Sequence, residues 1–164
     1  MDNILVVGGG SWGTAFADYL ARLGKKVKLW VWEKDVVESI RTAGENSTFL
    51  PGIPLAADLQ PVADLEGEAA RADVLVLAVP SKFIRAVMRR IKNARPDGQA
   101  LVNLSKGFEA DSLKSISAVA SEVFGPDIMA HWVPVSGPSF ARELARQHPT
   151  AVVAAATNDQ LRLK

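Results

Sequence analysis

Gly8, Gly10 and Gly13 fall at G-x-G-x-x-G spacing in the run Gly8-Gly9-Gly10-Ser11-Trp12-Gly13. Ile4-Leu5-Val6-Val7 before it is the apolar, β-branched run of a buried parallel strand. After it, Trp12, Ala15, Phe16, Tyr19, Leu20 and Leu23 recur at the three-and-four spacing of a one-sided helix. The glycines therefore sit on a strand-to-helix turn. Gly8 suits the tight turn, Gly10 lets backbone approach a ligand, and Gly13 lets helix and strand pack closely. The free amides at that helix start would hold phosphate charge. Glycine-rich turns are common, but in this setting the pattern predicts a dinucleotide site.

Further chemistry-bearing residues stand where strands should end. Glu33 lies about twenty residues beyond the turn, where a carboxylate accepts hydrogen bonds from a ribose 2′-hydroxyl and repels a 2′-phosphate. Lys34 beside it argues the other way, and an ordinary solvated acid is the alternative. Trp32 offers a flat face for adenine, or else packs against the following helix. Lys106, between Ser105 and Gly107, can point an ammonium at a substrate oxygen that gains negative charge; a plain surface lysine is the competing reading. Gly137-Pro138-Ser139 precedes a helix that Ser139 would cap. No nucleophilic serine is expected, because His131 and His148 have no recognisable partners.

Alternating strands and helices must position these groups. Strands are expected at 4–7, 27–32, 59–62, 74–79, 101–104, 132–135 and 151–156. Helices are expected at 12–23, 35–43, 66–72, 81–93 (capped by Ser81), 113–124 and 139–147, with another beginning at Asp159. Gly24 stops the first helix, and 46–54 is a loop. The pattern predicts an α/β, Rossmann-type, doubly wound and mostly parallel sheet with helices on both faces. In such sheets ligands gather beyond the carboxyl ends of the strands.

Composition sets outer limits. The 164 residues are 48% hydrophobic with a net charge of +1, enough for one domain and without an electrostatic case for nucleic acid. Lys82, Arg85, Arg89, Arg90, Lys92 and Arg95 interleave with Phe83, Ile84, Val87, Met88 and Ile91 and read as an amphipathic helix with a solvated outer face. No run reaches the roughly 20 apolar residues of a membrane span. The absence of cysteine removes disulfides and thiolate sites, and two distant histidines make no metal site. The first strand begins almost at Met1, leaving no room for a leader, so a cytoplasmic protein is expected.

Taken together, the motifs resemble the amino-terminal domain of NAD(P)-dependent glycerol-3-phosphate dehydrogenase along essentially the whole chain. The matching segments are Gly8 through Ala15, Phe49-Leu50-Pro51-Gly52, Val79-Pro80-Ser81, Ser105-Lys106-Gly107 and Ser136 through Ala141. The resemblance implies NAD or NADP as cofactor. It implies hydride transfer between the cofactor and glycerol 3-phosphate or dihydroxyacetone phosphate as the small-molecule substrate. It implies cofactor contacts from Ser11, Trp12, Trp32, Lys106 and Ala141, with Phe49 and Phe83 lining the crevice, and substrate contacts from Lys106, Gly137 and Ser139. It also implies a helical carboxy-terminal substrate domain outside residues 1–164, carrying a second lysine that moves the proton, and a homodimeric full-length enzyme. Trp32-Glu33 departs from the basic pattern of bacterial-type members and leans toward NAD. Two other readings are a related two-domain hydroxy-acid dehydrogenase and a stand-alone NAD(P)-binding redox sensor.

This reading of Glu33 has a direct test. Glu33→Ala should weaken NADH binding by about 1.5–3 kcal/mol, the range of hydrogen bonds to charged groups. Calorimetry with NADH and NADPH checks it, and unchanged NADH affinity would return Glu33 to the solvent.

Overall fold

Along β1 (Asn3–Val7), Leu5 and Val7 face one core cluster while Ile4 and Val6 face another, as the period of two in a strand requires. Both faces of the sheet are consequently buried. The computed structural model describes residues 3–162. After β1 come α1 (Ser11–Arg22), β2 (Lys26–Trp30), α2 (Lys34–Ala43), β3 (Gln60–Val62), α3 (Leu65–Ala69), β4 (Val74–Leu77) and α4 (Ser81–Lys92). The chain continues through β5 (Ala100–Asn103), α5 (Ile116–Phe124), a 3-10 turn (Pro126–His131), β6 (Trp132–Ser136), α6 (Ala141–Ala145), β7 (Val153–Ala154) and α7 (Asp159–Arg162).

The sheet order is β3-β2-β1-β4-β5-β6-β7, with β7 antiparallel to β6 and every other pair parallel. The progression of strands across the sheet reverses between β1 and β4, the point beyond whose carboxyl ends doubly wound sheets place their ligands. On one face Ile84, Met88 and Ile91 of α4 and Val119 and Ala120 of α5 pack against Leu5, Leu75 and Leu77. On the other, Ala17 and Ala21 of α1 and Val36 and Ile40 of α2 pack against Val6, Leu29 and Val76.

Several expected boundaries shift for local reasons. The helix expected at 113–124 begins at Ile116, because Leu113 adopts φ 55° in a turn where its amide donates to Glu109 O at 2.8 Å and Glu109 N donates to Lys114 O at 2.9 Å. Ser115 caps it, accepting from Ala118 N at 3.3 Å. Ser81 is not a cap: Pro80 holds that position without a side-chain bond, and Ser81 is the first helical residue. Likewise Ser139 does not cap α6, where Phe140 occupies the cap position. The strand expected at 151–156 narrows to the two residues of β7. Gly24 does end α1 as expected, at φ 77° with its amide on the Ala21 carbonyl.

The basic face of α4 corrects the expectation of a simply solvated surface. Arg85 donates through Nε and Nη2 to both Glu109 oxygens at 2.6 and 2.7 Å, and through Nη2 to Glu122 at 2.8 Å. Arg90 grips Glu66 in the same two-pronged way, at 2.6 and 2.9 Å. These forked pairs match the planar guanidinium to the carboxylate and tie α4 to neighbouring segments. Arg85, with help from the Ser112 hydroxyl, holds the Glu109 carboxyl down to about 2.

That depression fixes a pH dependence. The folded value of Glu109 lies below the unfolded value of about 4.3, so its stabilisation is complete above that value and disappears as pH falls toward 2. Urea midpoints measured from pH 7 to pH 2 should therefore drop through this window. In Glu109→Gln the drop should be shallower, starting from a lower neutral-pH midpoint; an identical slope would show that Glu109 is not responsible.

Candidate functional site

The turn after β1 is built so tightly that only glycine fits three of its positions. Gly8 donates its amide to Trp30 O at 3.0 Å and adopts φ 126°, and a Cβ there would lie 2.5 Å from Ala78 O. A Cβ on Gly13 would fall on the Gly8 carbonyl, so α1 packs directly on the turn. Gly9, to which the spacing assigned no role, would strike Val31 Cγ1 at 2.6 Å. Gly10 is the exception: it has φ −68°, and a Cβ would meet nothing within 4 Å. Its neighbourhood is space outside the protein.

That space lies at the amino end of α1. The first helical bond runs from Thr14 N to Gly10 O at 2.9 Å, which leaves the amides of Ser11, Trp12 and Gly13 without intrahelical acceptors. No side chain caps the helix, and its first turn holds no acidic residue. The donor set and the open space at Gly10 together suit a diphosphate group.

A buried asparagine outside the glycine motif holds this turn. Asn46 donates through Nδ2 to Gly9 O and Thr14 Oγ1, both at 2.8 Å, and accepts from Phe49 N through Oδ1 at 3.0 Å. Asp18, equally buried, accepts from Arg22 Nε at 2.8 Å and Ala56 N at 2.7 Å. These bonds clamp the loop after α2 onto α1. Leu50 is thereby sunk among Ala15, Ile53 and Leu144, while Phe49 stays at the rim. Sequence reading missed Asn46 and Asp18. A polar residue opening a loop has no period, and Asp18 on an otherwise apolar helix face was the one available signal.

On the other side of the crevice, Lys106 Nζ donates to Ser139 O and Ser139 Oγ, both at 3.3 Å, and lies 5.5 Å from the Trp12 ring centre. Three sequence-predicted residues from separate segments therefore meet. Ser139 is buried and its hydroxyl reaches Gly137 O at 3.3 Å. A Cβ on Gly137 would come within 2.6 Å of Ala151 O, so this turn packs on the segment leading to β7. Ser105, also unassigned, accepts from Val79 N at 3.1 Å and links the ends of β4 and β5 just before Lys106. Ala141 opens α6 and packs, as Trp12 and Phe16 do, against the cluster of Ala15, Leu50, Ile53 and Leu144.

The Trp32 side chain is 71% exposed and does not pack on α2 as its alternative reading required. Its neighbours are the edge of Trp30, with ring centres 6.2 Å apart, and the Arg90 guanidinium, 5.7 Å from its ring centre. Glu33 occupies the cap position of α2 without making a side-chain cap bond, and exposed Lys34 begins that helix. Phe83 is half exposed on the first turn of α4, with Lys82 Nζ 4.6 Å from its ring centre. A groove of about 350 Å³ lined by Asn3, Lys26, Gln60 and Arg71 lies at the opposite edge of the sheet, away from all these residues. Among the described residues no His, Asp and Glu cluster suits a metal ion, and no helix is long and apolar enough to cross a membrane.

Comparison with known proteins bears directly on this arrangement. Residues 3–162 match the family described as NAD-dependent glycerol-3-phosphate dehydrogenase N-terminus. Over 157 residues the chain is 44% identical to a glycerol-3-phosphate dehydrogenase [NAD(P)+] of Geobacter metallireducens, covering 96% of this chain and 47% of that protein. A crystal structure of glycerol-3-phosphate dehydrogenase from Coxiella burnetii superposes with a TM-score of 0.89 at 32% identity, over 99% of this chain and 49% of the other. Glycerol-3-phosphate dehydrogenase of Saccharomyces cerevisiae gives 0.81 at 27% identity, over 94% and 47%. The chain thus spans about half the length of the relatives it matches.

The asparagine clamp is open to test. Asn46→Ala should cost about 1–3 kcal/mol, the penalty for buried partners left unsatisfied. Urea denaturation measures it, and the loosened turn should also bind NADH more weakly. Wild-type stability would mean that Gly9 and Phe49 find other partners.

Proposed function

The chain belongs to the family of NAD-dependent glycerol-3-phosphate dehydrogenase N-termini, and from that premise we propose that it is the cofactor-binding part of such an enzyme. The reaction would move hydride between NAD(P)H and dihydroxyacetone phosphate or sn-glycerol 3-phosphate. The observation that carries this reading is the uncapped start of α1 facing open space at Gly10. The amides of Ser11, Trp12 and Gly13 would hold the cofactor's diphosphate there. When bound, the cofactor supplies or accepts the hydride.

The remaining roles follow from chemistry and position. Glu33, its carboxylate not spent on capping α2, would accept from the ribose hydroxyls and favour NAD over NADP. Trp32 would serve the adenine, while Phe49, Phe83 and Ala141 would line the crevice. Lys106 would present its ammonium to the substrate oxygen, steadied by Ser139 and by the Trp12 face. Gly137 and Ser139 would complete the substrate side. Hydride transfer also requires a group that moves the hydroxyl proton. In this reading a second lysine supplies it, from a helical substrate domain outside residues 1–164, in a cytoplasmic homodimer with no role in binding nucleic acid.

Residues 1–164 alone should bind NADH, with saturable quenching of tryptophan fluorescence, and should not turn over glycerol 3-phosphate. Gly10→Val separates ligand space from fold. A Cβ there meets nothing within 4 Å, so the melting temperature should stay near wild type while NADH binding falls beyond detection. Normal NADH binding by Gly10→Val would remove the diphosphate from this helix.

A further inference from the structure

Arg90 is held by Glu66 against the two tryptophans that follow one another on one face at the end of β2. In dinucleotide folds an acid after the second strand takes the ribose 2′-hydroxyl, whereas a nearby arginine accommodates a 2′-phosphate. Here an acid, Glu33, follows the second strand, and an arginine stands against the tryptophans at that strand's end. Glu33 follows Trp32 directly, and the Arg90 guanidinium lies 5.7 Å from the Trp32 ring centre and 5.5 Å from that of Trp30. Trp30 is itself fixed, its Nε1 donating to Ala63 O at 3.0 Å. Arg90 reaches this point from the far part of α4, which is why its place in the sequence gives no hint of it.

Glu66 occupies Arg90 fully on one edge, receiving Nε at 2.6 Å and Nη2 at 2.9 Å. The pair has no net charge, so the cation beside Trp32 has little pull left for a phosphate. Asp64 adds negative field at Arg90, although its own carboxylate is engaged in capping α3 through Gly67 N at 3.0 Å. Exposed Lys34 is the remaining cation next to Glu33. The guanidinium nevertheless stays against the indole, where it fixes the ring by cation–π attraction.

We propose that the Glu66–Arg90 pair is a specificity element for the adenosine end of the cofactor: Arg90 positions Trp32, and the carboxylate of Glu66 cancels the charge that would otherwise recruit a 2′-phosphate. The proposal rests on the cofactor reading above. It adds residues from α3 and α4 to a choice otherwise assigned to the segment after β2.

Glu66→Gln keeps a hydrogen-bond acceptor for Arg90 and removes only the charge. Dissociation constants for NADH and NADPH, measured by calorimetry on wild type and variants, give the readout. Glu66→Gln should improve NADPH binding relative to NADH by roughly five- to tenfold, the scale of one added charge-assisted contact, and 1 M salt should erase most of the gain. Arg90→Gln should move the ratio the opposite way by leaving the Glu66 carboxylate unbalanced. The double variant should return near the wild-type ratio. A merely structural pair would weaken both cofactors together and leave their ratio unchanged, which would overturn the proposal while the cofactor reading stands. Failure of the wild-type chain to bind either dinucleotide would overturn both.

Discussion

The close approach of α1 to the β1–β4 pair is the constraint on which the carboxyl edge of the sheet depends. Gly13 lies on the Gly8 carbonyl and Gly8 on the Ala78 carbonyl, so the helix start is pressed into the point where sheet order reverses. Because the backbones touch, the first turn of α1 starts directly on the strand ends, uncapped and beside the open space at Gly10. The same contact places Trp12 where Lys106 and α6 can reach it. A side chain at Gly8 or Gly13 would move the helix and, with it, each of these neighbours.

Buried polar groups do the work that apolar packing cannot do at such an edge. Asn46 and Thr14 satisfy the Gly9 carbonyl, and Asp18 satisfies the amide of Ala56. Each bond fixes an orientation as well as a contact, and a desolvated donor or acceptor gains strongly from having its partner. The loop after α2 is therefore held without secondary structure of its own. Leu50 seals its underside, and Phe49 is left at the rim.

Charge is managed on the same principle. Arg85 and Arg90 project from a helix that carries many cations, yet both are forked onto carboxylates from other segments. The Arg85 pair pins the loop that follows Lys106, and the Arg90 pair reaches from α4 to the tryptophans at the end of β2. Near-zero net charge in the whole chain thus conceals strong local pairing, with Lys106 directed at Ser139 and Trp12 rather than at a carboxylate.

Most of the elements and the glycine turn between β1 and α1 were legible in the sequence, because both depend on short-range patterns. Strand periodicity, helix periodicity and glycine spacing identified β1, α1 and the turn between them, and the order of strand-end motifs brought out Lys106, Gly137 and Ser139. It misjudged Ser81 and Ser139 as caps, since one hydroxyl before a helical pattern looks the same whether or not the backbone turns there. It also set the start of α5 too early, because nothing local announces the left-handed turn at Leu113. Only the tertiary structure decided that Asn46 holds Gly9, that Lys106 meets Ser139, and that Arg90 lies against Trp32 under the hold of Glu66. These partners are separated by long stretches of chain. Their contacts arise from how the helices cross the sheet, and no periodicity in the sequence encodes a distance between side chains on different elements.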